Sequence, residues 1–409
     1  MSLKKIAIIV GVVFVLALGF ISYKLLHFYQ AIYKPTTKTV TKKPAPEKTI
    51  FNILIAGYGG AGHDGAYLTD TMIAANIDLK TKKVHMLSLP RDTWVDIPTK
   101  SGADYHEKIN AVYQMELFPK DYPDVQTLDA NVTGDVFSSK VEEVTGLKMD
   151  NYVFVDFTGF KKAIDILGGI DVNVEKTFDD YEYPIDGKEK DLCGKDDQFH
   201  QVEKYLGPIS ADLVAERDTL FKDHPDLQTF FDNITKDPAV AFPCRYEHLH
   251  FDKGLTHMTG ETALKYARSR HSLQDGTDFG RAARQQRVIE AVKDKVVSVG
   301  FLPKIIPLMD ELSQHIKVDI SPSVIQKFIG EAKNAGLYKI KTLVLSDSNY
   351  LKSGTASTGA YILTSREGID KWDSVKLAVS DFVNDVEPTP TATLSGILKS
   401  PTQLPKPTN

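Results

Sequence analysis

The feature that most constrains the fold is the short interval between two strand-like runs. Thr71–Leu79 and Lys83–Leu89 are mostly apolar, and only Lys80-Thr81-Lys82 separates them. Three polar residues are enough to close an antiparallel hairpin, whereas a parallel pair needs a crossover of about a dozen residues. The two runs therefore predict an antiparallel hairpin.

Other segments alternate between strand and helix patterns. Phe51–Ala56 is a short apolar run ended by glycine, as in a buried strand. Tyr152–Asp156, Gly159–Leu167 and Ile170–Val174 have the patterns of a strand, a helix and a strand, and Phe279–Ser298 has helical periodicity. This alternation predicts an α/β fold with a central sheet covered by helices, although it does not give the strand order.

Composition narrows the classes of function. The chain of 409 residues has the apolar and charged content of an ordinary globular protein, and its formal net charge is -5. That charge gives no reason to expect a nucleic acid partner, so an anion site must be local. The two cysteines, Cys193 and Cys244, exclude a disulfide-stapled miniprotein and a four-cysteine zinc site.

The N-terminal segment has the pattern of a membrane anchor. Lys4 and Lys5 precede Ile6–Ile21, which contains no charged residue, and the apolar stretch continues beyond it. About 20 apolar residues cross a hydrocarbon core of about 30 Å. We expect a short cytoplasmic tail at 1–5 and a transmembrane helix at 6–28. A cleaved signal peptide is the alternative.

Two other segments have little to bury. We expect a linker at 29–49, because Thr, Lys and Pro dominate it from Lys34 to Lys48, which predicts an extended tether. The segment 387–409 is rich in Pro, Thr and Ser, which predicts a disordered tail. We therefore expect the folded domain at 50–386, with its core motifs at 51–298 and a C-terminal part at 299–386.

A glycine-rich loop at 57–62 has the spacing of a dinucleotide-binding motif. It follows a predicted strand, and Asp78 lies about 20 residues on, where the motif places a ribose-binding carboxylate. That motif also needs a helix at its last glycine to hold the pyrophosphate. The short segment before the next strand leaves no room for a crossover helix. We interpret the loop as a turn that brings His63, Asp64 and Asp70 to the end of the sheet.

Pro90 marks the end of the second hairpin strand. Proline lacks a backbone N–H and cannot continue the ladder, so Arg91 and Asp92 are displayed where the strand stops. Sites in α/β folds commonly lie at such strand ends. On this motif alone, a surface salt bridge is the simpler interpretation.

The last predicted helix places cations on its apolar face. At about 100° per residue, Arg281, Arg284 and Gln285 share a face with Val288 and Val292. Arginine is seldom buried without a partner, so an anionic group must compensate.

Two interpretations of these arginines stay open. An internal carboxylate such as Asp278 is one possible partner. A phosphate ligand is the other, because guanidinium groups bind phosphate oxygens bidentately. Arg268 and Arg270, just upstream, would strengthen such a phosphate site.

Seven segments together resemble the successive motif blocks of the LytR-CpsA-Psr family. They are Phe51–Gly57, Leu68–Thr71, Ser88–Thr93, Lys108–Ala111, Asp165–Val172, Gly260–Arg270 and Asp278–Gln286. Each block is weakly specific alone, but all occur in the family's order over most of the expected folded chain.

The resemblance implies a fold, an activity and a location. Members of the family have a mixed sheet in an α-β-α arrangement. They are phosphotransferases that move a glycopolymer from a polyprenyl-pyrophosphate carrier to a cell-wall acceptor such as peptidoglycan, with Mg²⁺. The resemblance favours a single-pass protein of the cell membrane with its catalytic domain outside.

The same resemblance assigns roles to site residues. Arg91 is expected to contact the pyrophosphate with support from Asp92, and Asp278 to orient an arginine or act near the acceptor hydroxyl. Asp70 is expected to hold the metal. The expected substrate-binding residues are Asn110, Arg268, Arg270, Arg281, Arg284 and Gln285.

One motif departs from the family pattern. The family has Gly-x-Asp after the first strand, and this aspartate is a second metal contact. The chain has Gly57-Tyr58-Gly59 there. Asp64, in the same loop, is the candidate replacement.

Alternatives remain for the activity and for the cysteines. A polyprenyl-pyrophosphate hydrolase would use the same residues with water as acceptor, and a non-catalytic adaptor would bind the lipid carrier without turnover. Cys193 and Cys244 bracket an insertion at 193–244. Outside the cytoplasm we expect a disulfide between them, with two unrelated thiols as the alternative.

Overall fold

The computed structural model describes residues 22–24, 26–33, 48–63, 65–126, 134–298 and 312–386. The predicted tails at 1–5 and 387–409 lie outside these residues, as does most of the predicted anchor at 6–28. In the described part of the chain, no helix is both long enough and apolar enough to span a membrane.

The start of the predicted linker contacts the folded domain. Residues 26–32 are helical. The hydroxyl of Tyr29 donates a hydrogen bond to the backbone carbonyl of Ile320, at 3.2 Å. The linker predicted at 29–49 therefore begins with helical residues, and its Thr-, Lys- and Pro-rich part at 34–47 lies outside the described residues.

The strands form one larger sheet and several two-stranded pairs. In chain order they are β1 (Ile50–Tyr58), β2 (Thr69–Asp78), β3 (Lys83–Ser88), β4 (Trp94–Asp96), β5 (His106–Lys108), β6 (Asn151–Asp156), β7 (Ile170–Val174), β8 (Phe178–Pro184), β9 (Tyr246–Phe251), β10 (Gly254–Met258), β11 (Ile316–Val318), β12 (Lys339–Val344), β13 (Leu351–Thr355) and β14 (Tyr361–Ser365). The two-stranded pairs are β4–β5, β7–β10, β8–β9 and β13–β14.

The α-helices lie between these strands and after them. They are α1 (Ile109–Leu117), α2 (Asp135–Thr145), α3 (Phe157–Ile166), α4 (Asp196–Val202), α5 (Ala211–Asp223), α6 (Pro225–Lys236), α7 (Pro238–Ala241), α8 (Gly260–Arg268), α9 (Asp278–Ser298), α10 (Pro322–Glu331) and α11 (Asp373–Val383).

The larger sheet is mixed, with strand order β11-β6-β1-β2-β3-β12. β1 pairs antiparallel with β2 and parallel with β6, while β2 and β3 form the antiparallel hairpin. β11 is antiparallel to β6, and β12 is parallel to β3. The predicted hairpin and the predicted sheet covered by helices are both confirmed.

Asp78 belongs to the hairpin turn. Its carboxylate accepts hydrogen bonds from the backbone N–H of Lys80 and the hydroxyl of Thr81, both at 2.8 Å. The described residues between Gly62 and β2 form turns rather than a helix. The dinucleotide-binding interpretation therefore lacks both its helix and a free ribose-binding carboxylate.

One face of the sheet, which we call the closed face, is covered by α1, α2 and α11. Aromatic side chains fill the interior there. The ring of Phe154 lies 4.3 Å from that of Tyr113, 4.7 Å from that of Tyr152 and 5.7 Å from that of Phe137, measured between centroids. All four residues are buried.

The opposite face, which we call the open face, is covered by α3, α8 and α9. Gln286 anchors α9 to β3 by donating its side-chain N–H to the hydroxyl of Ser88, at 2.8 Å. Gly260 allows α8 to approach α3 closely, because a Cβ at this position would lie 2.1 Å from the carbonyl oxygen of Lys161. The segment 269–277 joins the end of α8 to the start of α9.

The predicted insertion is a helical unit between β8 and β9. It contains α4 to α7, which bury their own apolar cluster around Val202, Phe230 and Phe242. Cys193 and Cys244 form a disulfide across its base, which confirms the predicted pairing.

Candidate functional site

A cavity of about 540 Å³ lies between the sheet and the helices of the open face. Ile55 of β1 and Val155 of β6 line it on the sheet side. Phe157 of α3, Leu264 of α8 and Val288 of α9 line it on the helix side. An apolar chain can fill such a cavity without leaving buried polar atoms unpaired.

Charged residues line the same cavity at the edge of the sheet where β1, β3 and β6 end. We call this end the mouth. Its described charged residues are Asp70, Arg91, Asp186, Glu189, Arg268, Arg270 and Arg281. Four arginines there face three carboxylates, so the described part of the mouth has an excess of positive charge. The apolar cavity therefore opens beside Arg91, Arg268, Arg270 and Arg281.

Arg91 and Asp70 form an ion pair at the mouth. Arg91 follows the end of β3, and Asp70 is the second residue of β2, the neighbouring strand. The Nη1 of Arg91 donates to Oδ1 of Asp70 at 2.7 Å. Both side chains remain partly exposed, at 23% and 32%, so a ligand in the cavity has access to them.

Asp92 and Asn110 lie on the side of this ion pair that faces away from the cavity. Both are buried, and neither lines the cavity. Asp92 accepts a hydrogen bond from Nζ of Lys108 at 2.6 Å and lies 3.6 Å from Nε of Arg91. The carbonyl of Asn110 accepts from the hydroxyl of Thr69. Asn110 does not line the cavity, and its expected substrate contact stays a prediction. The expected support of Arg91 by Asp92 agrees with this geometry.

Helix α9 carries two arginines with different positions. Arg281 and Gln285 line the cavity, although both are buried. Arg284, one turn further along the same helix, does not line it and is fully buried. The two arginines share the apolar face, as expected, but only Arg281 reaches the site.

The chain itself compensates the charge of Arg284. Nε donates to the carbonyl of Tyr266 at 2.9 Å, and Nη1 donates to Oδ1 of Asp275 at 2.5 Å. Nη2 donates to the carbonyl of Ser269. Burial lowers the pKa of the guanidinium, and the carboxylate of Asp275 opposes that shift. The predicted phosphate contact is therefore corrected: Arg284 has an internal carboxylate partner, which is Asp275, and it holds the loop that leads into α9.

Arg268 and Arg270 border the mouth on the side of α8. The guanidinium of Arg268 lies over the ring of Phe157, at 4.5 Å from its centroid, and Nη1 is 3.4 Å from the hydroxyl of Tyr183. Burial raises the pKa of Tyr183 to about 12, so this hydroxyl stays protonated at neutral pH. Arg270 follows α8 and is exposed. Both arginines therefore line the mouth, and their expected contact with a substrate stays a prediction.

The segment from Tyr183 to Glu189 is a part of the site that sequence analysis missed. Tyr183, Pro184, Asp186 and Glu189 all line the cavity. Hydrogen bonds from backbone N–H groups lower the pKa of Glu189, so it is ionised at neutral pH. No motif or spacing in the sequence indicates this segment.

Two expected residues cannot be placed. Asp64 and the side chain of Asp278 lie outside what the structure describes. Their expected roles, as a replacement metal ligand and as a group near the acceptor hydroxyl, remain predictions.

Asp70 is the described residue that best fits the expected metal. Within the described residues, groups of three convergent His, Cys or carboxylate donors occur elsewhere and not at the mouth. Mg²⁺ needs no such group, because it commonly binds one or two carboxylates, water and substrate phosphates. Oδ1 of Asp70 accepts a hydrogen bond from Arg91, and Oδ2 is the oxygen that could bind the ion.

Known proteins share this sequence pattern. The model of a family described as the LytR_cpsA_psr family matches residues 22–371. TagV of Bacillus subtilis strain 168, named a polyisoprenyl-teichoic acid–peptidoglycan teichoic acid transferase, is 26% identical over 329 residues, covering 78% of this chain and 64% of TagV. TagU of Enterococcus faecalis, which has the same transferase name, is 25% identical over 366 residues, covering 86% of this chain and 91% of TagU. The chain thus spans less than two thirds of the length of TagV.

The fold is similar to that of a solved structure. The crystal structure of Bacillus subtilis TagV matches with a TM-score of 0.50 at 23% identity, over 84% of this chain and 100% of the crystallised one. The mixed sheet with helices on both faces is therefore common to both proteins.

Proposed function

The chain belongs to the LytR_cpsA_psr family, and we propose that it transfers a glycopolymer from a polyprenyl-pyrophosphate carrier to a cell-wall acceptor. The observation that carries the proposal is one cavity with an apolar interior and an arginine-rich mouth. A polyprenyl pyrophosphate has the matching chemistry, since its tail is apolar and its head is strongly anionic.

The interior of the cavity supports the lipid part of the proposal. Each CH₂ group of a tail gains about 0.8 kcal/mol on leaving water. Ile55, Phe160 and Ile289 are among the side chains that a tail would contact. A water-soluble phosphate ligand would leave this apolar lining unused.

The mouth supports the pyrophosphate part. Arg91, Arg268, Arg270 and Arg281 present guanidinium groups, which bind phosphate oxygens through paired N–H donors. Phosphoryl transfer depends mainly on positioning and on neutralising the non-bridging oxygens. Asp92, which accepts a hydrogen bond from Lys108, supports the guanidinium group of Arg91 from behind.

The transfer itself exchanges one phosphorus–oxygen bond for another. The acceptor hydroxyl oxygen bonds to the phosphorus that carries the glycan. The bond from that phosphorus to the bridging oxygen breaks, and polyprenyl phosphate leaves with the bridging oxygen. The hydroxyl proton passes to a base or to water, and Asp278 is the residue that the family motif assigns to this neighbourhood.

Mg²⁺ is part of the proposal, with Asp70 as its protein ligand. The ion would neutralise charge on the phosphate oxygens, and Asp64 is the candidate for a second contact. The hydrogen bond from Arg91 to Asp70, at 2.7 Å, holds this carboxylate at the mouth.

The proposed location is the outer face of the cytoplasmic membrane, with the segment 6–28 as the anchor. The disulfide between Cys193 and Cys244 supports the location, because disulfides persist in oxidising compartments outside the cytoplasm. A polyprenyl carrier and a cell-wall acceptor would both be available there.

The test is release of polyprenyl phosphate from a labelled lipid-pyrophosphate glycan, measured with and without Mg²⁺ and a peptidoglycan acceptor. We expect release that depends on both. Arg91→Ala should lower the rate by about 10²–10³-fold, the usual loss when one preorganised donor to a transition-state oxyanion is removed. Arg217→Ala is the matched control, since Arg217 pairs with the adjacent Asp218 in the insertion and does not line the cavity.

The two alternatives predict different results in the same assay. Release that is equally fast without acceptor would favour the hydrolase. Tight binding of the lipid-linked glycan with no release under either condition would favour the adaptor and reject the transferase.

A further inference from the structure

The β8–β9 ribbon carries a second group of reactive side chains, none of which lines the cavity. His248 and His250 are two residues apart on β9, so their side chains leave the same face of the strand. Asp179 of β8 lies directly opposite His250 in the antiparallel pair. Two imidazoles and one carboxylate are therefore brought together by strand geometry alone.

The three side chains converge on a single point. Oδ1 of Asp179 lies 2.9 Å from Nε2 of His248 and 2.7 Å from Nδ1 of His250. All three are partly exposed, at 21%, 43% and 47%, so an ion in solution can reach them.

Neighbouring side chains hold both imidazoles in place. The ring of Tyr181 stacks on that of His248, with centroids 4.0 Å apart and an angle of 5° between the planes. The other ring nitrogen of His250, Nε2, lies 3.3 Å from Oδ1 of Asp252. An outer carboxylate on the non-ligating nitrogen is the usual arrangement around a metal-bound histidine, because it fixes the orientation of the ring.

We propose that Asp179, His248 and His250 form a site for a divalent transition metal, of which Zn²⁺ fits best. Zinc takes imidazole nitrogen and carboxylate oxygen at about 2.0–2.2 Å in tetrahedral geometry. Donors around such an ion are about 3.3 Å apart, so the two distances from Asp179 to the histidines, 2.9 and 2.7 Å, need to lengthen by only about 0.4–0.6 Å. Water fills the fourth position. Mg²⁺ is disfavoured, because it prefers an all-oxygen shell.

The proposed metal site lies next to a residue that contacts the loop at the cavity mouth. The next residue after Asp179, Asp180, is fully buried and accepts a hydrogen bond from the hydroxyl of Ser269 at 2.6 Å. Ser269 lies between Arg268 and Arg270 of the cavity mouth. A metal that ties β8 to β9 therefore stabilises the ribbon on which this loop rests. The inference is independent of the proposed transferase activity.

The test is a titration of the full-length protein in detergent, without a polyhistidine tag and after chelation, with Zn²⁺ alone. Calorimetry should show one strong equivalent that a large excess of Mg²⁺ does not displace. His250→Ala and His248→Ala should each weaken this binding by about tenfold to a hundredfold or more. Zinc at a hundred times its Kd should raise Tm by about 2–5 °C in the unmodified protein and not in the variants.

His257→Ala is the matched control. His257 also pairs with a carboxylate, that of Asp171, at 2.7 Å, and it is similarly exposed, but it has no second histidine in the pair. This variant should bind zinc like the unmodified protein. The proposal is overturned if no equivalent of zinc binds, if Mg²⁺ displaces it, or if His257→Ala weakens binding as much as His250→Ala does.

Discussion

The two faces of the central sheet are built from the same strands but are used differently. On the closed face, Tyr113, Phe137, Tyr152 and Phe154 fill the space between sheet and helices. On the open face, aliphatic side chains and Phe157 surround a cavity of about 540 Å³. Apolar surface therefore stabilises the fold on one side, and on the other side it is available to a ligand.

The largest expected effect is on the closed face. Phe137 is fully buried against Phe154 and Tyr113. Phe137→Ala should lower the free energy of unfolding by about 3–5 kcal/mol, because the aromatic core cannot collapse into the space that is left. Urea denaturation measures this loss. Lipid-pyrophosphate affinity per folded molecule should not change, and a large change would mean that the two faces are not separable.

The second prediction compares the two arginines of α9. Arg284→Ala should lower the free energy of unfolding by about 3 kcal/mol, because it leaves the partly buried Asp275 without its guanidinium partner. Arg281→Ala should instead weaken lipid-pyrophosphate binding by about tenfold to a hundredfold, since it removes a charge-assisted contact at the mouth.

Affinity and stability must both be measured on each of these variants. Arg287→Ala is the control on the same helix, since Arg287 pairs with Glu175 and does not line the cavity. The assignment of the two arginines would be reversed if Arg284→Ala lost affinity while Arg281→Ala lost only stability.

The third prediction concerns pH and the closed face. Glu116 of α1 is buried. Its carboxylate lies at the N-terminus of α2, where it accepts hydrogen bonds from the backbone N–H groups of Val136 and Phe137. Burial raises its pKa to about 7 from 4.5. The folded state therefore binds more protons than the unfolded state between these values, so the stability contributed by Glu116 falls as pH rises from about 4.5 to 7.

Glu116→Gln removes this titration. The difference in unfolding free energy between the unmodified protein and this variant should fall by about 2 kcal/mol across that window and stay constant above it. Urea denaturation at pH 5, 6, 7 and 8 measures the difference. A difference that rises with pH would mean that the backbone N–H groups lower the pKa of Glu116 by more than burial raises it.

The parts of the fold that were predictable from sequence depend on local chain geometry. Lys80–Lys82 fixes the β2–β3 hairpin because the turn is short, and apolar periodicity locates α9 over 278–298. The strand order depends on long-range pairing, such as that of Lys83 in β3 with Lys339 in β12. No local pattern determines which of several apolar runs will be neighbours in a sheet.

The site was predictable to the level of motifs but not of individual contacts. Arg284 and Arg281 differ by about 60° around the helix, so both fall on the apolar face. Which of them meets the cavity depends on the loop that contains Asp275, and this loop supplies the partner of Arg284. Tyr183 and Glu189 join the site through the β8–β9 ribbon, which no sequence spacing indicates.

In the proposed function, the open face binds a lipid tail while the mouth binds its pyrophosphate. The most direct test is the affinity of the full-length protein in nanodiscs for pyrophosphates with one, two, three or more isoprene units. We predict a Kd that falls by about tenfold or more with each added unit until the cavity is filled, because each buried CH₂ contributes about 0.8 kcal/mol. Ile289→Trp, which places a large side chain in the cavity, should flatten this dependence. An affinity that is the same for one isoprene unit as for many would contradict binding of the lipid tail in the cavity.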